Sequence, residues 1–475
     1  MESFFVYDYE CFGLDAARDG VAQWAGVRLN QNFEPIEEAQ SFYCKPSVDY
    51  LPNPDSVLLT GITPQYCAEY GLLEPFFIAR ILEAFEKLQT CVMGYNNIRY
   101  DDEFTRYLAY RNFHDPYAYS YANGNSRWDL LDVVRATYAL RPEGLSWAYH
   151  EDGMPSFRLE DLTAANDLTH SKAHDALSDV WATVGLLQLL HRVQPRLLAY
   201  ALTLRSKKTV QTMLNQALWQ PLVHVSGMFG AMRSYMALVV PLAQHPSNQN
   251  AWIVCDLGGE VEVLADYSVL ELKEHLFSSP SEQSALDERV RVPLKLIHTN
   301  KCPFIAPLKT LRSSDAERLS FDMGYSLKNM EKLKKIADLQ EKVKALYEGE
   351  WRGYEVDKPA REQLYAGFLE ANDKALCREI TQSAFADLGK KTWHFQDARL
   401  PALLLDYRAR YAFHTLTRRE QLSFQTQVRQ KLETQILPYS QRLQELAQSP
   451  DLNEKNFSIL QQLYEYGVKK STWQP

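Results

Sequence analysis

The chain has 475 residues, of which 46% are hydrophobic and 23% charged, and its net charge at pH 7 is −9. This length predicts roughly two to four domains, and the acidic balance argues against a protein that coats nucleic acid by bulk electrostatics, although it leaves room for a local basic groove. No apolar run approaches a membrane span, so we expect no membrane contact. The seven cysteines lie far apart without a CxxC pair, which argues against a zinc site or disulfide framework and predicts a reducing, cytoplasmic environment.

A short apolar run at residues 4–7 leads into Asp8, Tyr9 and Glu10. The run predicts a buried β-strand, and side chains two positions apart on a strand point to the same side. Asp8 and Glu10 would therefore form a pair of like charges, for which a divalent cation with oxygen ligands is the simplest compensation. The alternative is a strand end that has reached water, where both acids are solvated.

The next segments predict an α/β domain that begins with an antiparallel meander. Strand-like runs lie at residues 23–29, 41–44 and 91–95, and an amphipathic helix is predicted at 75–88. Asp101 follows the last of these strands, where a helix begins. An acid there compensates for the helix dipole or joins a ligand site at the strand end, and the sequence leaves both open.

A second helix start carries a histidine and two acids. His174 and Asp175 precede an apolar-periodic helix that includes Asp179, and Asp175 is the predicted N-cap. A histidine in this turn could act as a base near neutral pH, whereas a lone histidine is more often a structural hydrogen-bonding residue.

Aromatic and basic residues lie between these two helix starts. Tyr117, Tyr119 and Tyr121 alternate in a polar loop where we expect them to be exposed, while Trp128 is expected in the core. Stacking rings interleaved with cations are typical of single-stranded nucleic acid binding. The alternative is that the rings cover the core.

Together these residues resemble a known family. Asp8-x-Glu10, Asn97-x-x-Tyr100-Asp101 and His174-x-Ala176-x-x-Asp179 resemble, in order, the motifs of the DEDD superfamily of 3′→5′ exonucleases. The histidine five residues before the last aspartate is the feature of its DEDDh branch. Further segments extend the resemblance to the bacterial exonuclease I family along nearly the whole chain, at residues 94–97, 125–132, 155–160, 221–230, 300–303 and 407–410.

The resemblance implies a ribonuclease-H-like exonuclease domain that degrades single-stranded DNA to 5′-mononucleotides in DNA repair and recombination, processively and with two Mg²⁺ ions that Mn²⁺ could replace. It implies that the metal ligands are Asp8, Glu10, Asp101 and Asp179, and that His174 is the general base. The substrate-binding residues that we expect are Glu10, Arg158, Arg106, Tyr117, Tyr121, Arg135 and Lys207. For Arg158, a bidentate grip on phosphate competes with a surface ion pair to Glu160 or Asp161.

The rest of the chain predicts two further domains. Short strands at 222–225, 235–240, 252–256, 260–264 and 292–298, with a helix near 269–277, predict a small β-barrel, which the resemblance identifies as SH3-like. One charged helix is predicted at 328–347, and helical patterning dominates from 359 onward. The predicted domains are a DEDDh exonuclease domain at 1–195, an SH3-like β domain with helices at 196–348, a linker at 349–358 and an all-α C-terminal domain at 359–475.

Two other functions compete with the exonuclease interpretation. One is a DEDDh ribonuclease or proofreading exonuclease, and the other is a catalytically silent protein that binds single-stranded DNA. The family resemblance also implies a partner, the acidic-hydrophobic C-terminal tail of single-stranded DNA-binding protein. The candidate dock is Arg141, Tyr200, Arg312 and Lys334, and we expect a monomer.

Overall fold

The computed structural model describes residues 2–168, 174–278, 290–349, 358–450 and 452–471. The strands in chain order are β1 (Ser3–Cys11), β2 (Val21–Leu29), β3 (Gln40–Tyr43), β4 (Thr90–Gly94), β5 (Ser126–Asp129), β6 (Ala148–Tyr149), β7 (Pro155–Ser156), β8 (Leu222–Val225), β9 (Met236–Gln244), β10 (Ala251–Asp256), β11 (Leu294–His298) and β12 (Phe304–Pro307). The α-helices are α1 (Pro54–Thr60), α2 (Pro64–Tyr70), α3 (Glu74–Phe85), α4 (Asp101–Arg111), α5 (Leu131–Leu140), α6 (Leu159–Ala165), α7 (Ala176–Val193), α8 (Pro195–Thr203), α9 (Lys207–Gln216), α10 (Val263–Asp266), α11 (Val269–Phe277), α12 (Ser313–Arg318), α13 (Met323–Leu333), α14 (Leu339–Tyr347), α15 (Ala371–Gln382), α16 (Arg399–Tyr411), α17 (Arg418–Ala447) and α18 (Glu454–Ser471). Within the described ranges, no helix is both long enough and apolar enough to cross a membrane.

The chain forms two compact units, and the first consists of Met1–Ser126, His170–Trp181 and Gly353–Pro475. Within this unit the sheet contains β3, β2, β1 and β4 in that order. The central strand β1 pairs antiparallel with β2, so that Glu10 lies opposite Gln23, and parallel with β4, so that Val6 lies opposite Met93. The predicted antiparallel meander of β1, β2 and β3 is confirmed.

The first unit has an aromatic core on one face of β1. Phe5, Tyr7 and Tyr9 alternate along the strand and are all buried, and they share one apolar cluster with Trp24 of β2 and Phe85 of α3. Because side chains alternate along a strand, burying these rings directs Asp8 and Glu10 to the other side.

The C-terminal part of the first unit is helical, as predicted. The helix α17 begins with a capping box in which Thr417 and Glu420 bond reciprocally. The helices α17 and α18 pack against the N-terminal part of the same unit, where Tyr439 and Leu463 share an apolar cluster with Phe12. The predicted linker at 349–358 lies almost wholly outside the described residues, and the predicted domain boundaries stay predictions.

The second unit consists of Arg127–Thr169 and Ala182–Arg352. Its larger sheet has the order β11-β10-β9-β8-β12, and every neighbouring pair is antiparallel. The helix α11 coincides with the predicted helix at 269–277 and begins with a capping box of Ser268 and Glu271.

Two sequence predictions in the second unit are wrong. Residues 260–264 are not a strand but lead into α10, because Val261 and Leu264 are the fully buried positions and their spacing of three fits a helical turn. The predicted single helix at 328–347 is broken between α13 and α14. Leu333 and Leu339 are both buried, and a spacing of six would put them on different faces of one helix, whereas a left-handed turn at Asp338 lets both face inward.

Candidate active site

The site begins where β4 stops and β1 continues. The pairing of β1 with β4 runs to Val6 and Met93, and the chain then leaves the sheet at Gly94. A Cβ on Gly94 would lie 2.7 Å from the carbonyl oxygen of Tyr7, so only glycine fits this close approach. Beyond Val6, the edge of β1 that pairs with β4 is free of β4 and faces the start of α4.

Asp101, the first residue of α4, occupies that edge. Its Oδ1 accepts a hydrogen bond of 3.2 Å from the backbone N–H of Tyr9, the residue between Asp8 and Glu10. The side chain is buried, with 4% exposure. The carboxylate is therefore fixed to β1 between the two acids of the strand, as a backbone-bonded group and not merely as a helix-dipole partner.

The start of α7 brings the remaining residues to the same place. The carboxylate of Asp175 accepts a hydrogen bond of 3.3 Å from the N–H of Ser178, which confirms the predicted N-cap. The N–H of Ala176 donates to Gln23 Oε1 at 3.2 Å, so β2 holds the first turn of the helix. His174, just before the helix, has a left-handed backbone with φ 61°, a conformation that costs free energy in residues other than glycine and often accompanies function.

The acidic groups and the histidine converge. Ligand atoms of Glu10, His174 and Asp179 all lie within 4.8 Å of one another. Burial raises the pKa of Asp8 well above its usual range, and the charges of Asp101, Glu10, Asp179 and Asp175 raise it further. Oxygen-rich donors that repel one another without a counter-charge are the donor set that hard divalent cations require, so the residues present fit a metal site.

The sequence did not predict that three further residues support the site. Tyr7 donates a hydrogen bond of 2.7 Å to Asp102 Oδ1. Asp102 is fully buried, although its place in the first turn of α4 is typical of a solvated acid. Gln23 is buried in a strand whose other polar side chain is Arg28. A polar residue inside an apolar run was the signal for Gln23, whereas nothing in the run of acids at 101–103 distinguishes the buried Asp102.

The predicted exposure of the loop tyrosines holds for Tyr121 but not for Tyr119. Tyr119 is fully buried, which corrects its expected exposure, while Tyr121 is 62% exposed. The loop forms a tight turn at Ala118–Ser120 instead of an extended segment, so alternation does not apply. Arg106 is largely buried, with Nη1 3.0 Å from Glu103 Oε1, and its guanidinium lies over the ring of Tyr117 at 5.4 Å.

In the second unit the predicted phosphate-binding residues have varied surroundings. Arg158 and Lys207 are exposed. Arg135 Nη1 lies 2.7 Å from Asp132 Oδ1, and its guanidinium lies 4.7 Å from the centre of the ring of Tyr235.

The predicted partner-binding residues are partly brought together. Arg141 and Arg312 both face Asp315, at 3.5 Å and 2.6 Å. The hydroxyl of Tyr200 donates to a backbone carbonyl, that of Ile305, at 2.7 Å. Lys334 pairs instead with Glu331 at 3.0 Å.

Comparison with known families covers most of the chain. Residues 5–187 match an exonuclease family model, residues 205–349 match the exonuclease I SH3-like domain, and residues 358–470 match the exonuclease I C-terminal domain. These matches confirm the predicted order of an α/β exonuclease domain, an SH3-like domain and a helical C-terminal domain. The exonuclease fold implies a divalent metal, which agrees with the acidic cluster.

Individual relatives match over nearly their full length. Exodeoxyribonuclease I of Haemophilus influenzae is 48% identical over 98% of both chains, and exodeoxyribonuclease I of Escherichia coli is 43% identical over 98% of this chain and 97% of its own. The crystal structure of E. coli exonuclease I with a dA16 oligonucleotide has a TM-score of 0.94 at 42% identity, covering 99% of this chain and all of that one. An ExoI/SSB-Ct complex has a TM-score of 0.93 at 41% identity, covering 99% of both chains. The chain belongs to the exonuclease I family.

Proposed function

We propose that the chain hydrolyses single-stranded DNA from the 3′ end and releases 5′-mononucleotides in DNA repair, with two Mg²⁺ ions as cofactor. The observation that carries this proposal is the convergence of Glu10, His174 and Asp179 within 4.8 Å, beside Asp8 and Asp101. The full-length similarity to exodeoxyribonucleases I supports the substrate and the polarity. Processive digestion and a cytoplasmic location belong to the same proposal.

Asp8, Glu10, Asp101 and Asp179 would hold the metal ions. Carboxylates from one strand and the starts of two helices supply oxygen ligands from several directions, which suits octahedral Mg²⁺. When bound, a pair of such ions activates water and stabilises the leaving oxygen of a phosphodiester. Mn²⁺ would be accepted by the same oxygen donors.

His174 would take the proton of the attacking water. Its ring offers a nitrogen within 4.8 Å of the carboxylates of Glu10 and Asp179, and imidazole is the side chain best suited to accept a proton near neutral pH. The turn that carries it is tied to α7 through the cap at Asp175 and to β2 through Gln23. Glu10, the most buried residue of the three, would also contact the terminal nucleotide.

The remaining substrate contacts would come from exposed and aromatic residues. Arg158 and Lys207 present exposed cations that can neutralise phosphates. Tyr121 offers an exposed ring on which a base can stack. The internal contacts of Arg106 favour a role in supporting the ring of Tyr117 rather than a direct grip on phosphate.

The decisive experiment uses single-stranded DNA oligonucleotides labelled separately at the 5′ and 3′ ends. We expect the wild type with Mg²⁺ to release labelled mononucleotide at once from the 3′-labelled strand and to shorten the 5′-labelled strand stepwise. Asp179→Asn and His174→Gln should lose at least two orders of magnitude in rate, as expected for removal of a metal ligand or a general base. EDTA should abolish release.

Asp175→Asn is the matched control for this experiment. It changes an acid on the same turn, but asparagine also caps helices, and we expect near-normal rates. A wild type that binds DNA and leaves it intact would favour a silent DNA-binding protein. Faster digestion of an RNA oligonucleotide of the same sequence would favour a DEDDh ribonuclease, and both results would contradict the proposal.

The acidic-hydrophobic tail of single-stranded DNA-binding protein is the proposed partner. An ExoI/SSB-Ct complex exists for a relative, and Arg141 and Arg312 of this chain gather around one buried carboxylate, Asp315. Arg312 also pairs with Glu143 at 2.7 Å, and Arg318 lies 3.9 Å from Asp315. Three cations therefore face two acids, and positive charge remains for a ligand. Arg312→Glu should weaken binding of a labelled tail peptide, measured by fluorescence anisotropy, whereas Lys328→Glu on exposed α13 should not. Equal affinity of both variants would remove Arg312 from the dock.

A further inference from the structure

The edge of β1 and its aromatic face are both tied to the start of α4. At the edge, the backbone N–H of Tyr9 donates to Asp101 Oδ1 at 3.2 Å. On the aromatic face, the hydroxyl of Tyr7 donates to Asp102 Oδ1 at 2.7 Å. Asp101 and Asp102 are consecutive residues in the first turn, where helix backbone is least constrained by its own hydrogen bonds, so these two contacts fix the turn against the strand.

The side chains of Tyr7 and Asp102 that form this hydrogen bond are held in place by their surroundings. Both side chains are essentially inaccessible, at 1% and 0% exposure. The ring of Tyr7 packs between Tyr9 and Phe85, at centroid distances of 5.8 Å and 4.8 Å. A hydrogen bond to a buried carboxylate is charge-assisted and therefore stronger and shorter than a neutral one. Its geometry leaves the first turn of α4 little freedom to shift.

We propose that Tyr7 is a positioning residue of the metal site: through Asp102, it sets the place of Asp101 relative to Asp8 and Glu10. This inference rests on the proposed metal site, and it assigns a function to a core tyrosine on the opposite face of the strand. Partners that orient a metal ligand without touching the ion commonly control affinity by one to two orders of magnitude. The strand would thus supply two ligands from one face and the alignment of a third from the other.

The chain offers a matched control in Tyr9. Its hydroxyl also hydrogen-bonds α4, with Thr105 Oγ1 at 3.0 Å, and its ring is equally buried. Thr105 lies one turn further along the helix, away from Asp101. Tyr9→Phe keeps the backbone N–H that binds Asp101 and removes only the hydroxyl. Tyr7→Phe and Tyr9→Phe thus each remove one buried hydroxyl from the same strand face and the same helix, so a general loss of stability would affect both.

The test measures Mn²⁺ binding to the full-length protein without DNA, by electron paramagnetic resonance of the free ion. We expect Tyr7→Phe to weaken Mn²⁺ affinity on the order of tenfold, and Tyr9→Phe to leave it unchanged. With DNA, the Mg²⁺ concentration for half-maximal activity should rise by a similar factor in Tyr7→Phe, while kcat at saturating Mg²⁺ recovers. Asp102→Asn keeps the acceptor but removes its charge. It should also raise the Mg²⁺ concentration for half-maximal activity (the Mg²⁺ midpoint), by a smaller factor.

The outcomes separate the two proposals. If the wild type binds no Mn²⁺, the metal site itself is wrong. If the wild type binds Mn²⁺ and both tyrosine variants bind it equally well, or are weakened equally, Tyr7 has no positioning role. If Tyr7→Phe does not fold, an unshifted midpoint in Asp102→Asn overturns the inference.

Discussion

The acidic cluster should make the metal-free enzyme less stable than a variant that lacks one of its acids. Asp179→Asn removes a carboxylate whose oxygen lies within 4.8 Å of Glu10 and whose charge contributes to the raised pKa of Asp8. Two unit charges at that distance repel by about 3.5 kcal/mol at an effective dielectric constant of about 20, and by about 1 kcal/mol in water. Because Asp179 is only half-buried, we expect the variant to gain about 1–2 kcal/mol in EDTA.

Bound metal should make the wild type more stable than Asp179→Asn. A ligand that binds only the folded state stabilises it by about 2.7 kcal/mol at a hundredfold excess over its Kd, and the wild type should gain this in Mg²⁺. Asp179→Asn has lost a ligand and should gain much less. The two proteins should therefore exchange rank between EDTA and Mg²⁺, while the variant is inactive in both.

Calorimetric melting at pH 8 measures the stability of the wild type and of Asp179→Asn, each in EDTA and in Mg²⁺. Glu83→Gln, which changes an exposed acid on α3, is the control and should follow the wild type in both buffers. A variant less stable than the wild type in EDTA would show that the acids do not strain the fold. Equal stabilisation of both proteins by Mg²⁺ would show that Asp179 does not hold the metal.

Three further changes have defined outcomes. Asp49→Asn should cost about 3 kcal/mol in urea unfolding, because it leaves the buried Arg410, 2.8 Å from the Asp49 carboxylate, without that counter-charge; an unchanged midpoint would contradict this. Burial lowers the pKa of His114 to about 4, so between that pH and about 6.5 the unfolded chain binds a proton that the folded one does not, and stability falls as the pH falls. His114→Gln should flatten this decline in melting temperature, and an identical pH profile would refute it. Gly94→Ala should cost about 1–3 kcal/mol by overpacking against the carbonyl of Tyr7 and should weaken Mn²⁺ binding, which a wild-type titration curve would exclude.

The sequence predicts those parts of the fold that depend on local pattern. The alternation of side chains in β1 places Phe5 and Tyr7 on one face and Asp8 and Glu10 on the other, because a strand has a period of two. The helix predicted near 269–277 coincides with α11, whose start is fixed by a local capping box. The acids of the site are found for the same reason, since each lies at the end of a strand or the start of a helix.

Interactions between distant segments could not be predicted in this way. Arg106 has the appearance of a surface cation, yet Tyr365, 259 positions away, accepts a hydrogen bond from it. Tyr119 has the spacing of an exposed ring but lies in the core because the chain turns instead of extending. The role of Asp102 depends on Tyr7, 95 residues earlier, and a run of three acids gives no sign of which one the strand will bind.

The support of the metal site extends to the C-terminal helices. Phe12 follows Glu10 by two residues and is buried in the cluster that holds Tyr439 of α17 and Leu463 of α18. The hydroxyl of Tyr439 in turn donates to the backbone carbonyl of Leu463 at 2.9 Å, which ties the two helices to each other beneath Phe12. The strand that carries Asp8 and Glu10 is thus fixed at one end by its own sheet and at the other by helices from the end of the chain. A cluster of acids needs such support on both sides, because the charges of Asp101, Glu10 and Asp179 act unfavourably on the Asp8 carboxylate before the metal binds.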